Sequence, residues 1–143
     1  MSSPRRIDLA AIVLRTGVGV MFVAHAALKY FVFTLPGTAR FFESLGLPGA
    51  LGYATFAAEL VGGLLLVAGI GTRVVAALLV PILLGATWAH FGNGWVFTAQ
   101  NGGWEYPAFL TLATLVTAIL GNGARDDVRI GAAAQAPRAI EAA

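Results

Sequence analysis

Four apolar stretches dominate the chain, and short segments rich in glycine, proline and asparagine separate them. A helix needs about 20 mainly apolar residues to cross a hydrocarbon core about 30 Å thick. The pattern therefore predicts an all-α membrane protein, a bundle of four transmembrane helices formed by residues 7–120. The predicted spans cover residues 7–33, 51–70, 74–91 and 106–120.

The connections carry residues that end or redirect helices. Leu35-Pro36-Gly37 predicts the end of the first helix, because proline and glycine continue a helix poorly. Arg40, Phe41 and Leu45 then lie on and beside one helical face, which predicts a short amphipathic helix at the membrane interface between helices 1 and 2. Gly71-Thr72-Arg73 is short enough to make the second and third spans antiparallel neighbours.

Composition supports the membrane assignment. Hydrophobic residues make up 58% of the chain and charged residues only 11%, whereas a soluble domain has roughly 25% charged residues. The chain has no cysteine, which excludes disulfides and thiolate metal ligands. Its basic residues are scattered and form no run suited to nucleic acid. The expected partner is the lipid bilayer, and nucleic acid is not expected.

The distribution of arginine predicts the orientation. Cytoplasmic flanks of membrane spans carry an excess of lysine and arginine. One side of the predicted bundle has six such residues, while the connections on the other side have only Arg40, so both termini should face the cytoplasm. Residues 1–6 then form a cytoplasmic N-terminus, and residues 121–143, which lack a hydrophobic stripe, a disordered cytoplasmic tail. The six residues are Arg5, Arg6, Arg73, Arg125, Arg129 and Arg138.

Ionisable side chains also occur within the spans or at their ends. A charge at the centre of a bilayer costs roughly 2.5–3.5 kcal/mol to insert. His25 and Lys29 are four residues apart and Arg15 lies ten before His25, so the three share a sector of about 80° on helix 1. Counting the rise along each helix places Glu59 at a similar depth to His25, with Arg15 deeper. The full set is Arg15, His25, Lys29, Glu59, Arg73, His90 and Glu105.

Two interpretations of this charged cluster remain open. The charges can neutralise one another and fix helix packing, or they can form a site at the outer face that binds a small redox-active or anionic ligand. In the second case Glu59, His25 and His90 are the candidates for proton exchange. Histidine and glutamate are also metal ligands, but no compact metal motif is present and no metal is predicted. The candidates for ligand binding are Arg15, Lys29, Glu105 and Trp104.

Several segments together resemble the DoxX family of small four-helix membrane proteins. In the first helix, Leu14-Arg15 is followed by His25 and Lys29. Glu59-Leu60-Val61-Gly62-Gly63 in the second span and Gly102-Gly103-Trp104-Glu105-Tyr106-Pro107 before the fourth are further pieces of the resemblance. The loop segment that runs from Phe42 to Pro48 also matches.

The resemblance implies a bacterial or archaeal cytoplasmic membrane protein linked to respiratory or stress-related redox chemistry. Relatives of this kind include a subunit of a thiosulfate:quinone oxidoreductase and membrane partners of antioxidant enzymes. The first hypothesis is therefore an accessory or small subunit of a quinone-linked or stress-related membrane redox complex, with quinone as the candidate cofactor and redox enzymes as protein partners. A non-enzymatic assembly scaffold and a small-solute transporter are the alternatives. The sequence leaves enzymatic activity and homo-oligomer formation open.

Overall fold

The computed structural model describes residues 3–123, and all regular secondary structure in that part of the chain is helical. A 3-10 turn at Phe91–Asn93 follows the fourth helix. The predicted disordered tail lies outside the described residues from position 124 onward. The helices are α1 (Ser3–Phe31), α2 (Leu35–Ser44), α3 (Ala50–Ala68), α4 (Thr72–His90) and α5 (Glu105–Leu120).

Three of these helices, α1, α3 and α4, are long and apolar enough to cross a membrane, and α5 is a shorter apolar helix. Large apolar side chains cover the outside of the bundle: Leu78 is 70% exposed and Ile119 is 71% exposed. A soluble domain would bury much of this surface, whereas lipid can cover it. The all-helical class and the membrane nature of the predicted fold are therefore confirmed.

The first connection differs from the predicted one. Helix α1 ends at Phe31, and Leu35-Pro36-Gly37 opens α2 rather than only closing α1. Thr34 precedes it with a φ of 62°, and its side-chain oxygen accepts a hydrogen bond of 3.2 Å from the Gly37 amide. Proline is tolerated in a first helical turn, where its missing amide donor has no intrahelical partner. The same proline therefore separates two helices and starts the second.

Helices α1 and α3 cross closely and run antiparallel. A Cβ atom added to Gly63 would lie 2.8 Å from the Gly19 carbonyl oxygen, and one added to Gly19 would lie 2.8 Å from the Gly63 carbonyl oxygen. Only glycine at both positions permits this approach of two backbones. The apolar core is formed by buried residues of four helices: Val18, Phe22, Leu66, Ala76, Leu79, Leu83 and Leu110.

The bundle has two distinct ends. We call the end that carries residues 91–104 the loop end, and the end that carries the 69–71 turn the turn end. At the turn end, Gly69 and Gly71 adopt φ values of 74° and 59°, a left-handed conformation that favours glycine and reverses the chain between α3 and α4. Asn122 holds the end of α5 against this turn, because its amide donates to the Gly69 carbonyl oxygen at 3.1 Å.

Candidate functional site

A buried ion pair joins α1 to α3 towards the loop end. The Lys29 ammonium donates to both carboxylate oxygens of Glu59, at 2.9 and 2.7 Å, and Glu59 is only 4% exposed. Helical side chains lean towards the N-terminus of their own helix. In an antiparallel pair the Lys29 side chain therefore leans towards the turn end and the Glu59 side chain towards the loop end, so their charged groups meet.

His25 and Tyr106 lie beside this ion pair. His25 is four residues before Lys29 on α1 and so shares its face. Its half-buried ring lies 5.6 Å, centroid to centroid, from the ring of Tyr106 in the first turn of α5. We call His25, Lys29, Glu59 and Tyr106 the polar cluster. It draws on three helices and is enclosed by an apolar bundle.

Two members of the polar cluster have unused hydrogen-bonding capacity. The Tyr106 hydroxyl is buried and finds no hydrogen-bond partner among residues 3–123. His25 likewise makes no hydrogen bond within the described part of the chain, where its ring contacts the Tyr106 ring. Buried polar groups are nearly always paired, and an unpaired one costs about 1–3 kcal/mol. The arrangement thus presents a hydroxyl and an imidazole able to bind an oxygen atom of a further molecule.

The structure places His90, the third proton-exchange candidate, in a different environment. Its Nδ1 atom lies 2.9 Å from the Ala86 carbonyl oxygen of its own helix. Because a carbonyl only accepts, Nδ1 carries the proton and donates this bond. The His90 ring faces Phe41 of α2, with centroids 6.5 Å apart, and the backbone of the loop at Gly102.

Glu105 and Trp104, two of the ligand-binding candidates, help to close the loop of residues 94–104. The Phe97 amide donates to Glu105 Oε1 at 3.0 Å, and the Trp104 amide donates to the Gly94 carbonyl oxygen at 3.1 Å. The Trp104 ring packs edge to face on Trp95, with centroids 4.4 Å apart. Both residues therefore have structural contacts that account for their positions, and their binding role stays a prediction.

Arg15, another ligand-binding candidate, lies far from the polar cluster. Its guanidinium donates to the Leu66 and Val67 carbonyl oxygens, at 2.6 and 2.8 Å, at the C-terminal end of α3. The rise along α1 separates Arg15 from Lys29 by about 21 Å. The structure therefore brings Lys29, Glu59 and His25 together and keeps Arg15 apart, where it satisfies the last carbonyls of α3.

From the sequence, Tyr106 was grouped with Trp88, Trp95 and Trp104 as part of an interfacial belt or as the floor of a quinone pocket, and Asn122 was given no role. The Thr72 hydroxyl donates to Asn122 Oδ1 at 2.8 Å, so Asn122 bonds both sides of the α3–α4 turn. An asparagine between two glycines directly after a helix is a recognisable capping signal. No three His, Asp or Glu side chains within residues 3–123 come close enough to share a metal ion.

These features define an all-helical, multi-pass membrane protein whose bundle encloses an ion pair. The DoxX family model matches residues 10–92, more than half of the chain, so the protein belongs to the DoxX family and the resemblance is confirmed. The matched region includes His25, Lys29 and Glu59. Tyr106 and the rest of α5 lie beyond it.

The chain is also similar to a protein of Bacillus subtilis (strain 168) named "Putative oxidoreductase CatD". The two are 35% identical over 82 residues, which cover 57% of this chain and 60% of that relative. The chain thus matches less than two thirds of the relative's length. No solved structure gave a significant match.

Proposed function

We propose that this chain is a membrane subunit of a quinone-linked redox complex, in which the polar cluster holds the quinone and a redox-enzyme partner supplies the electrons. The observation that carries the proposal is that one cluster contains both a buried Lys29–Glu59 ion pair with no net charge and a Tyr106 hydroxyl with no hydrogen-bond partner among the described residues. The oxidoreductase name of the similar Bacillus protein supports the redox class. The membrane is proposed to be the cytoplasmic membrane of a bacterium or archaeon.

The proposed topology has four crossings with both termini in the cytoplasm. The rise along α5 gives a length of about 24 Å, somewhat short of the hydrocarbon core. Its first turn meets α1 at His25, and its end meets the α3–α4 turn at Thr72 through Asn122. These contacts at both ends of the bundle support the proposal that α5 crosses together with α1 and α4.

The chemistry of the polar cluster favours a neutral ligand. Lys29 and Glu59 neutralise each other, so an anion would meet no uncompensated positive charge there. A quinone fits better, because its ring is neutral and its two oxygens accept hydrogen bonds. When bound, a quinone would supply an electron-accepting ring whose full reduction takes up two protons. His25 and Tyr106 would hold one ring oxygen, and His25 and Glu59 are the groups able to deliver protons.

The test is to extract the protein in mild detergent and to identify bound quinones by mass spectrometry, together with co-purifying proteins. The wild type should retain a quinone and a redox enzyme, while Glu59→Gln should lose the quinone because Lys29 is left unpaired beside the site. Glu43→Gln, at an exposed position on α2, is the matched control and should behave as wild type. Wild-type protein that neither retains nor takes up added quinone would refute the proposal.

A membrane scaffold is the second candidate. The observation that favours it is that Lys29 and Glu59 bind each other, while Arg15 and Glu105 bind backbone groups, so helix packing alone accounts for these charges. In that case Glu59→Gln should reduce assembly of the complex but leave the purified partner enzyme fully active. Specific retention of quinone by the wild type would exclude a purely structural role.

A further inference from the structure

Tyr106 separates the buried polar cluster from an open groove on the outside of α5. Its hydroxyl is inside the bundle and inaccessible, while the residue also lines the groove. The groove is almost entirely apolar, and its other walls include Trp95 of the loop and Phe109 and Leu112 of α5. Phe109 is 68% exposed and Leu112 is 58% exposed. On a helix that crosses a membrane, side chains exposed in this way face the acyl chains of the lipid.

The inner side of Tyr106 offers two hydrogen-bonding groups next to each other. The hydroxyl is unpartnered among residues 3–123, and the His25 ring, with its centroid 5.6 Å from that of Tyr106, makes no hydrogen bond there. The other candidates are already engaged: His90 bonds Ala86, and Glu105 bonds the Phe97 amide. Within the polar cluster, the unpartnered hydroxyl therefore belongs to the residue that also borders the lipid-facing groove.

We propose that Tyr106 and His25 form the hydrogen-bonding end of a site for a lipid-soluble ring compound that carries a carbonyl or hydroxyl oxygen, and that the ligand enters from the bilayer along the α5 groove. Displacement of the Tyr106 ring admits the ligand and brings the hydroxyl onto its oxygen. This inference rests on the proposed function and deepens it: it locates the quinone by residue and assigns its route of entry.

The groove explains why entry is lateral. An apolar ring compound partitions into the hydrocarbon region, so its concentration is highest where the groove opens. The walls of this route are mainly apolar, and Glu105, the acidic residue among those that line the groove, has one carboxylate oxygen bonded to the Phe97 amide. A neutral ring therefore passes little polar surface on its way to Tyr106. The Lys29–Glu59 pair, with Lys29 one helical turn from His25, offers no net charge that would favour an anion over a neutral ring.

Equilibrium binding in nanodiscs tests the site, with ubiquinone-1 as the probe. Tryptophan quenching is the signal, because Trp95 lines the groove together with Tyr106 and Trp104 packs on Trp95. Tyr106→Phe removes only the hydroxyl, and His25→Phe keeps an aromatic ring while removing both nitrogens. Each should weaken binding about five- to tenfold, the effect of losing one buried hydrogen bond. Tyr53→Phe, at an exposed position, is the matched control.

The unliganded proteins provide a second readout. Tyr106→Phe should not lower thermal stability, because its hydroxyl has no partner to lose within the described residues. Added ubiquinone-1 should raise the melting temperature of the wild type and raise that of Tyr106→Phe less. This combination separates a binding role from a packing role, since a packing role would make the substitution destabilising with or without ligand.

Stopped-flow quenching tests the route. Leu112→Trp fills the groove and should slow association at least fivefold, whereas Ile119→Trp, exposed further along α5, should leave the rate unchanged. Wild-type affinity in both Tyr106→Phe and His25→Phe would overturn the site, and an unchanged rate in Leu112→Trp would overturn the route, while the quinone-linked function would still stand. Absence of ubiquinone-1 binding by the wild type would overturn that function and the site together.

Discussion

Breaking the Lys29–Glu59 pair from one side should destabilise the bundle far more than replacing both residues. In Lys29→Met, the Glu59 carboxylate loses both of its hydrogen bonds, at 2.9 and 2.7 Å, in a position where its side chain is 5% exposed. Removing one partner of a buried pair costs about 3–5 kcal/mol, because the other charge stays buried and unpaired. Glu59→Leu should cost less, about 2–3 kcal/mol, since the Lys29 side chain is 17% exposed and keeps some access to the surroundings.

The double variant Lys29→Met with Glu59→Leu should recover most of this loss. Its residues are apolar, of similar volume, and leave no charge in the bundle, so its stability should lie within about 1 kcal/mol of wild type. The two single losses and the double loss then give a coupling energy of about 4–9 kcal/mol between the two side chains.

The assay is equilibrium unfolding in mixed micelles with a rising fraction of denaturing detergent, followed by circular dichroism. Arg40→Met and Glu43→Leu, both exposed on α2, serve as controls for charge removal as such and should change stability by less than about 0.5 kcal/mol. Two results would refute the reasoning that the pair is desolvated. One is that the single variants are as stable as these controls, and the other is that the double variant loses as much unfolding free energy as the two single variants together.

Three further predictions use the same unfolding assay. Gly63→Ala should cost about 1–3 kcal/mol, because the new Cβ meets the Gly19 backbone, whereas Gly85→Ala, with nothing within 4 Å, should be neutral or stabilising; equal effects would contradict the close helix crossing. Arg15→Leu should cost about 1–3 kcal/mol by freeing two carbonyls of α3, and wild-type ubiquinone-1 affinity in this variant would separate Arg15 from the binding site. Asn122→Ala should cost about 1–2 kcal/mol through the loss of its hydrogen bonds to Thr72 and Gly69, and unchanged stability would show that these bonds do not hold α5 to the turn.

The helices were predictable because each depends on a local signal. An apolar stretch indicates a helix wherever it lies in the bundle, so the predicted span of residues 74–91 falls within two residues of Thr72–His90 at each end. The α1–α2 boundary was harder to place, since a proline stops one helix and is equally suited to begin the next. Only the Thr34 cap, which depends on backbone geometry, decides between them.

The sequence predicted the heights of the site residues along the bundle better than the directions in which their side chains face. Counting the rise along two antiparallel helices places His25 and Glu59 at similar heights, and the structure brings Glu59 onto Lys29, one turn from His25. The same counting groups His90 and Glu105 with them, but height does not determine which way a helix face turns. The orientation of His90 depends on α2, whose Phe41 packs against its ring, and that contact leaves no mark in the spacing of α4.

Among the hydroxyl-bearing residues of α5, packing does not explain why residue 106 is a tyrosine. Thr111, Thr114 and Thr117 are buried, and each donates to the carbonyl oxygen four residues earlier, so the helix itself satisfies them. Tyr106 has no such option, because its hydroxyl lies at the far end of a rigid ring. Phenylalanine would fill nearly the same volume without burying an unpaired hydroxyl, which costs about 1–3 kcal/mol. A tyrosine there stabilises the bundle less than phenylalanine would unless another molecule completes its hydrogen bond, and His25 lies beside it to share that molecule.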